Sequence, residues 1–185
     1  MPTRQPIPLT AVRTAPGETE YQALLAWPFP AKPFYEGQLI RLLQNDIPHR
    51  VMYRYSFVLV WVYRDQDGNT VGFGTLDVCK DYTRFTGGKV HCYIPLLAVN
   101  PAFQKRGHGR SIVEHLTAEA VLIAQSPADI SDVLFLDVYT ANQTAISLYD
   151  KCGFVTMNPD APIPDPQENN EMYFIMAKRV AVSSQ

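Results

Sequence analysis

The segment with the clearest capacity for chemistry is QKRGHG, which runs from Gln104 to Gly109 between a strand-like stretch and a long helical pattern. Two glycines one residue apart, Gly107 and Gly109, allow the backbone to bend sharply and to come close to a ligand. The first N–H groups of the helix that follows have no acceptor inside the helix, and they lie at the positive end of its dipole. Such a turn favours an anionic ligand, with phosphate as the natural candidate.

The charges around this turn favour the same ligand. Lys105, Arg106 and Arg110 place three cations within seven residues that contain no acid, and His108 stands between the two glycines. The segment contains neither Gly-Lys-Ser/Thr nor Gly-x-Gly-x-x-Gly, so it is not one of the standard nucleotide loops. An ordinary strand-to-helix turn with solvated basic side chains stays open as the alternative.

A second group of candidate residues follows the next strand-like stretch, in NQTAISLYDKCGF. On a helix, Ala145 and Tyr149 share one face at i and i+4, and Asn142 precedes Ala145 by three residues. An amide, a small residue and a tyrosine would then line one wall. Taken alone, Tyr149 is more typical of a half-buried core aromatic than of a catalyst.

Together the two segments are specific, and they resemble the GNAT superfamily of N-acetyltransferases. The acetyl-CoA motif of that family, Gln/Arg-x-x-Gly-x-Gly/Ala after a bulged strand, is matched by Gln104, Gly107 and Gly109. Its later pattern, Asn-x-x-Ala-x-x-x-Tyr-x-x-x-Gly-Phe, is matched by Asn142, Ala145, Tyr149, Gly153 and Phe154. The match at residue level is limited to about 90–110 and 133–154, so it says much about the cofactor and little about the acceptor.

The resemblance implies acetyl-CoA as cosubstrate and no metal. The pyrophosphate would be held by the loop that comprises Gln104, Lys105, Arg106, Gly107, His108, Gly109 and Arg110. Peptide groups of Leu97, Ala98 and Val99 would pair with the pantetheine arm, which Asn142 and Ala145 would also contact. Tyr149 would act as the general acid that protonates the departing CoA thiolate.

The proton of the acceptor amine is the remaining chemical problem. An alkyl ammonium with pKa ~10.4 is neutral in only about one molecule in 2,500 at pH 7, so a base is expected. Some family members place a glutamate where this chain has Tyr93, and no carboxylate lies between Val90 and Val99. His91, on the same predicted face as Tyr93, is the best nearby candidate base. Asp77, Glu36 and a water chain without a dedicated base stay open.

Hydrophobic periodicity predicts the elements that must position these residues. Strands are expected around 7–11, 57–63, 71–75, 90–99, 133–139 and 172–177, the last being one of two short strands after the final helix. Helices are expected around 21–25, 35–46, 107–125 and 142–151. Pro95 interrupts the fourth of these strands, so a bulge or a local separation is expected there. The fold class is α/β or α+β, and the resemblance implies a GNAT-like, mixed, mostly antiparallel twisted sheet of six to seven strands flanked by about four helices.

Length and composition bound the remaining possibilities. The chain has 185 residues, which we interpret as one domain over 1–185, with a proline-rich N-terminal arm over about 1–33 and a proline-rich loop over about 158–170. A net charge of -2 gives no general attraction to nucleic acid or to an anionic membrane, and no apolar run is long enough for a membrane helix. Three cysteines without CxxC spacing favour a reducing compartment, so a cytoplasmic location is expected.

The sequence therefore predicts an acetyl-CoA-dependent N-acyltransferase that transfers an acetyl group to a primary amine by direct attack. The acceptor would be an amine-bearing small molecule, a peptide or a protein. Homodimers are common in families that resemble this one, so a homodimer stays open. The alternative from another class is a non-catalytic acyl-CoA-binding or regulatory module on the same fold, since Tyr93 replaces the glutamate. Nucleotide binding at the same loop is a third hypothesis.

Overall fold

The computed structural model describes residues 8–25, 57–125, 129–166 and 170–180. Its α-helices in these ranges are α1 (Thr19–Leu25), α2 (His108–Ala124) and α3 (Gln143–Lys151). Its strands are β1 (Thr10–Thr14), β2 (Phe57–Arg64), β3 (Thr70–Cys79), β4 (Val90–Ile94), β5 (Leu97–Val99), β6 (Ile130–Tyr139), β7 (Val155–Thr156), β8 (Ile163–Asp165) and β9 (Glu171–Arg179). Short 3-10 turns lie at Thr83–Phe85 and Pro101–Phe103.

The chain divides into two compact units, each built from two separate segments. The first unit comprises residues 1–77 and 96–112, and the second comprises residues 78–95 and 113–185. β3 and α2 each contribute residues to both units. The expectation of a single domain stays a prediction.

Strands β1, β2, β5 and most of β3 make the sheet of the first unit. β1 pairs with β2 in antiparallel register, and β5 pairs with β3 in the same sense. A tight turn joins β2 to β3, where the N–H of Gly68 donates to the carbonyl of Asp65 over 3.1 Å. The interior of β2 is buried from Leu59 to Tyr63, as its continuous apolar run predicts for a strand covered on both faces.

The second unit is organised around β6. β4 pairs with it in parallel and β9 in antiparallel register, while β7 and β8 pair with β9. Phe135 in β6 and Ile175 in β9 are fully buried and lie in one apolar cluster. β6 and β9 therefore place side chains in the same core, and Tyr93 of β4 packs against it.

The predicted class is confirmed as a mixed α and β fold with a mostly antiparallel sheet. The described residues contain nine strands rather than six to seven, because the short β5, β7 and β8 have pairing partners of their own. They contain three α-helices, and the helix expected over 35–46 falls outside the described residues. The expected interruption at Pro95 is confirmed, since β4 ends at Ile94 and β5 begins at Leu97.

Candidate active site

A buried threonine stabilises the chain where the interrupted strand resumes, in the first unit. The N–H of Thr75 donates to the carbonyl of Leu96 over 2.9 Å, and the N–H of Leu96 donates to the Thr75 hydroxyl oxygen over 3.0 Å. The hydroxyl therefore takes the place of a backbone acceptor in the ladder. Regular pairing resumes at Leu97, opposite Gly74, and β3 is the only described strand that pairs with β5. In the described residues, the other edge of β5 thus has no strand partner.

The segment after β5 is shaped by local hydrogen bonds. The side chain of Asn100 accepts from the N–H of Ala102 over 3.0 Å and so begins the short 3-10 turn. The Gln104 side-chain amide donates back to the carbonyl of Val99 over 3.1 Å. Gln104, which the family motif places at this position, thus secures the loop to the end of β5.

The loop then turns through two left-handed backbone positions. Lys105 has φ 61° and Gly107 has φ 98°, and left-handed residues among right-handed ones turn successive N–H groups towards one side of a loop. Arg106 donates to the carbonyl of Ala102 over 3.1 Å, and its guanidinium lies 5.3 Å from the centre of the Phe103 ring. These contacts hold the Arg106 charge beside the turn. The geometry and the charge both fit an anionic ligand.

Helix α2 begins directly from this turn. The carbonyl of Gly107 accepts from the N–H groups of Arg110, over 3.0 Å, and Ser111, over 3.2 Å, so Gly107 is the N-cap. The N–H groups of His108 and Gly109 lie in the first helical turn, where helix geometry provides no acceptor. The sequence-predicted turn is thus confirmed as the start of the long helix.

His108 contributes shape rather than charge to this loop. Its side chain is only 5% exposed, and among the described residues its Nδ1 has no hydrogen-bond partner. Burial lowers the His108 pKa, and the neighbouring Arg106 lowers it further, while Asp65 acts in the opposite direction. The imidazole is therefore neutral at pH 7, and the positive charge of the loop comes from its lysine and arginines.

Gly72 determines how closely the first turns of α2 approach the sheet, a role that the sequence analysis did not identify. A Cβ at this position would lie 2.6 Å from Cδ1 of Ile112 and 2.8 Å from the carbonyl oxygen of Ala98. Only a glycine lets β3, β5 and the helix pack at these distances. The alternation of small residues in the TVGFG run was the available signal.

The second unit holds the other predicted motif. The side chain of Asn142 caps α3 by accepting from the N–H of Ala145 over 3.2 Å. Tyr149 is buried on the same helix, with its ring centre 5.9 Å from that of Phe154. Gly153 has φ 86°, as expected for a left-handed C-terminal cap. The structure thus brings Asn142 and Ala145 into direct contact, and it places Tyr149 one turn further along.

His91 lies in β4 of the second unit and is completely buried. Its Nε2 accepts the N–H of Tyr82 over 3.3 Å and lies 3.6 Å from Sγ of Cys79. Burial lowers the His91 pKa, so the ring is neutral at pH 7. The nitrogen that a base would use is already engaged with a backbone donor. Of the other candidate bases, Asp77 is fully buried in the first unit, and Glu36 lies outside the described residues.

Tyr93, also in β4, contacts a carboxylate that was not among the residues predicted from the sequence. Its hydroxyl donates to Oδ2 of Asp137 over 3.0 Å, and the hydroxyl of Tyr82 donates to both oxygens of the same carboxylate, over 2.7 and 2.6 Å. Register explains the contact, since Tyr93 lies opposite Phe135 and Asp137 follows two residues later on the same face of β6. The available signal was a single acid inside the apolar run VLFLDVY.

The protonation of this cluster follows from its burial. Burial raises the pKa of Asp137 to about 6, although both tyrosine hydroxyls favour the charged form. Burial, followed by the nearby Asp137 charge, holds the pKa of Tyr93 well above its usual range. At neutral pH the cluster is therefore a carboxylate with two neutral hydroxyl donors.

None of the helices in the described residues combines the length and the apolar character that a membrane span requires. No group of three or more histidine, cysteine, aspartate or glutamate side chains in those residues could hold a metal ion. Cys79, Cys92 and Cys152 are buried, and none of the three forms a disulfide.

Comparisons with known proteins agree with this architecture. The model of the acetyltransferase (GNAT) family matches residues 20–154. The spermidine/spermine N-acetyltransferase of Vibrio cholerae in complex with manganese ions is 17% identical, with a TM-score of 0.59 and 92% of each chain covered. The spermidine N-acetyltransferase of the same organism in complex with CoA and spermine is 16% identical, with a TM-score of 0.60, over 93% of this chain and 95% of the other.

A third solved structure is the ribosomal-protein-S18-alanine N-acetyltransferase of Escherichia coli. It is 21% identical, with a TM-score of 0.54, over 95% of this chain and 97% of the other. A search of curated proteins found no match. At these identities the structural likenesses show the fold alone.

Proposed function

Since this chain belongs to the acetyltransferase (GNAT) family, we propose that it is an N-acetyltransferase that uses acetyl-CoA to acetylate a primary amine. The observation that carries the proposal is the turn over residues 104–107, where Lys105 and Gly107 have left-handed backbones and α2 begins. When bound, acetyl-CoA supplies an activated acetyl thioester.

The cofactor would be held by backbone groups of β5 and of the loop that leads into α2. The N–H groups from Gln104 to Gly109 would face the pyrophosphate, and the side chains of Lys105, Arg106 and Arg110 would balance its charge. Leu97, Ala98 and Val99 would offer peptide groups to the pantetheine arm along the edge of β5 that no described strand covers. The donor set is mostly backbone, which suits an extended chain of amides ending in phosphates.

Residues of α3, of its N-cap and of β4 would supply the chemistry at the thioester. Asn142 and Ala145, which form the first turn of α3, would contact the pantetheine arm. Tyr149 would donate its hydroxyl proton to the departing thiolate as general acid. Tyr93 and His91 are the residues of β4 proposed to assist removal of the amine proton. No step in this scheme requires a covalent enzyme intermediate.

The acceptor class is an amine carried by a small molecule, a peptide or a protein. Structural neighbours are a spermidine/spermine acetyltransferase and a ribosomal-protein-alanine acetyltransferase, so polyamines and peptides with N-terminal alanine are the first acceptors to test. Three buried cysteines that form no disulfide support a cytoplasmic location. A homodimer is the oligomeric state we propose to test first.

A non-catalytic acyl-CoA-binding module is the second candidate. It is favoured by Tyr93 at the position of the family glutamate and by the backbone N–H that already occupies Nε2 of His91. Such a module would bind acetyl-CoA without turning it over.

One paired experiment separates these functions. Calorimetry measures acetyl-CoA binding to the purified full chain, and release of free thiol is followed with spermidine, spermine and an N-terminal alanine peptide. Binding with turnover of any amine supports the transferase, whereas binding without turnover across a broad panel supports the module. Absence of acetyl-CoA binding contradicts both, and displacement of CoA by ATP or GTP would indicate a nucleotide site.

A further inference from the structure

Asp137 is an acidic side chain that neither family motif includes, and two other segments of the second unit each bring a tyrosine to it. Tyr82 comes from the turn after β3, Tyr93 from β4 and Asp137 from β6. Both hydroxyls donate to the carboxylate of Asp137, so one acceptor and two donors hold each other in place. The three residues are distant in sequence.

The surroundings of Asp137 suit a group that exchanges protons near neutral pH. The ionisable groups that face it are Tyr82, Tyr93, Tyr173, Asp81 and Asp165, with Arg84 acting on Tyr173. Burial and the two carboxylates disfavour its charged form, and the hydroxyls favour it. A carboxyl with pKa about 6 is ionised at pH 7 and is more basic than an ordinary aspartate.

The two tyrosines are held differently. The Tyr82 hydroxyl lies 2.7 and 2.6 Å from both carboxylate oxygens, whereas the Tyr93 hydroxyl contacts only Oδ2, over the longer distance of 3.0 Å. A phenol hydroxyl has one proton to donate and lone pairs that can accept another. Tyr93 as a residue is partly exposed, and its hydroxyl contacts Asp137. In a proton relay, its oxygen would receive a proton from a ligand while its own proton moves to Asp137.

We propose that Asp137 accepts the proton of the acceptor ammonium through the hydroxyl of Tyr93. The proposal rests on the proposed acetyltransferase function. One N–H bond of the ammonium breaks, its proton goes to the Tyr93 oxygen, and the former Tyr93 proton goes to Oδ2 of Asp137.

The rest of the reaction then balances. The freed nitrogen lone pair forms the N–C bond as the C–S bond breaks, and the sulfur keeps the electron pair of that bond. Tyr149 protonates the sulfur and regains a proton from the second N–H of the nitrogen. The proton held by Asp137 leaves to solvent, so each turnover releases one proton.

The test compares an alkyl amine with hydroxylamine, which is largely neutral at pH 7 and needs no base. The alkyl amine is whichever of spermidine, spermine or N-terminal alanine peptide the wild type turns over fastest, and uncatalysed hydroxylaminolysis is subtracted. We expect Asp137→Asn to lower kcat/KM for the alkyl amine by about 100-fold or more, and for hydroxylamine by less than about threefold. For the alkyl amine, a plot of the wild-type kcat/KM against pH should rise through about 6. This rising limb of the pH profile should be absent from Asp137→Asn.

Two tyrosine variants test the route of the proton. Tyr93→Phe should reproduce the selective loss, and it serves as the second test if Asp137→Asn does not fold by circular dichroism. Tyr82→Phe should lose less rate and should move the limb to higher pH, because it removes a hydroxyl that favours the charged carboxylate. The control is Asp165→Asn, since Asp165 also accepts a tyrosine hydroxyl, that of Tyr139, over 2.8 Å. It should show no selective loss with the alkyl amine, and it should move the limb to lower pH because it removes a charge that raises the Asp137 pKa.

The outcomes separate this proposal from the one on which it rests. Equal losses with both amines, an increase confined to KM, or an unchanged pH limb in Asp137→Asn would overturn the role of Asp137 while leaving the transferase intact. A wild type that binds acetyl-CoA but acetylates neither amine would overturn the proposed function, and the role of Asp137 with it.

Discussion

The Tyr82 hydroxyl lies 2.6 Å from one carboxylate oxygen of Asp137 and 2.7 Å from the other, so a single donor contacts both oxygens of a carboxyl group within the second unit. The contact favours the charged carboxylate, but burial outweighs it and raises the Asp137 pKa from 3.8 to about 6. The folded protein therefore holds this proton more tightly than the unfolded chain does.

Stability should consequently fall as the pH rises through the interval from about 4 to about 6. The difference between the folded and unfolded pKa values of Asp137 corresponds to at most about 3 kcal/mol in the free energy of unfolding. Asp137→Asn carries no such charge, so its melting temperature relative to the wild type should increase between pH 4 and pH 7. Thermal unfolding of both proteins at several pH values measures this, and a constant difference across the interval would contradict it.

Removing the Tyr149 hydroxyl should slow the reaction more than it weakens cofactor binding. Tyr149→Phe keeps the buried ring beside Phe154 but cannot protonate the thiolate. We expect kcat to fall by about 100-fold with the Kd of acetyl-CoA nearly unchanged. Stopped-time assays and calorimetry give the two numbers, with Tyr139→Phe as a control hydroxyl deletion in the same unit. Full activity in Tyr149→Phe would remove Tyr149 from the acid role.

Gly107 should be required for cofactor binding and not only for backbone conformation. Gly107→Val places a β-branched residue at φ 98°, and Gly68→Val does the same at φ 80° in the turn between β2 and β3. Both variants should lose about 1–2 kcal/mol of stability because left-handed backbone is strained for residues with a side chain. Only Gly107→Val should lose acetyl-CoA affinity in calorimetry. Equal affinities of the two variants for acetyl-CoA would count against a phosphate-binding role for the loop that contains Gly107.

A methyl group at Gly72 should destabilise the first unit. In Gly72→Ala the added carbon meets Cδ1 of Ile112 at 2.6 Å and the backbone oxygen of Ala98 at 2.8 Å, and a backbone oxygen cannot move aside cheaply. We expect a loss of about 1–3 kcal/mol in urea unfolding. Adding Ile112→Val removes one of the two clashing atoms, so the double variant should recover part of the loss. Wild-type stability in Gly72→Ala would show that the helix can shift without cost.

The sequence was sufficient for the features that depend on neighbouring residues. The apolar run of β2 predicted a strand covered on both faces, and Pro95 predicted the interruption that separates β4 from β5. The glycines after Gln104 predicted where α2 begins, because a helix start and a left-handed turn are local properties of the backbone.

The short strands and the contacts of Tyr82 and Tyr93 with Asp137 could not be predicted from neighbouring residues. β5, β7 and β8 contain two or three residues each, too few for a hydrophobic period, and only their pairing partners identify them. Asp137 is one polar residue in an apolar strand, and nothing in its neighbours indicates that Tyr82 and Tyr93 donate to it.

Residue types and local spacing thus determined by themselves the class of fold, the turn from which α2 begins and the capped helix that carries Tyr149. Tertiary structure decided that the register of β4 against β6 places Tyr93 opposite Phe135 and within reach of Asp137. Strand pairing joins residues that are distant in sequence, and the pKa of a carboxyl depends on how deeply that packing buries it.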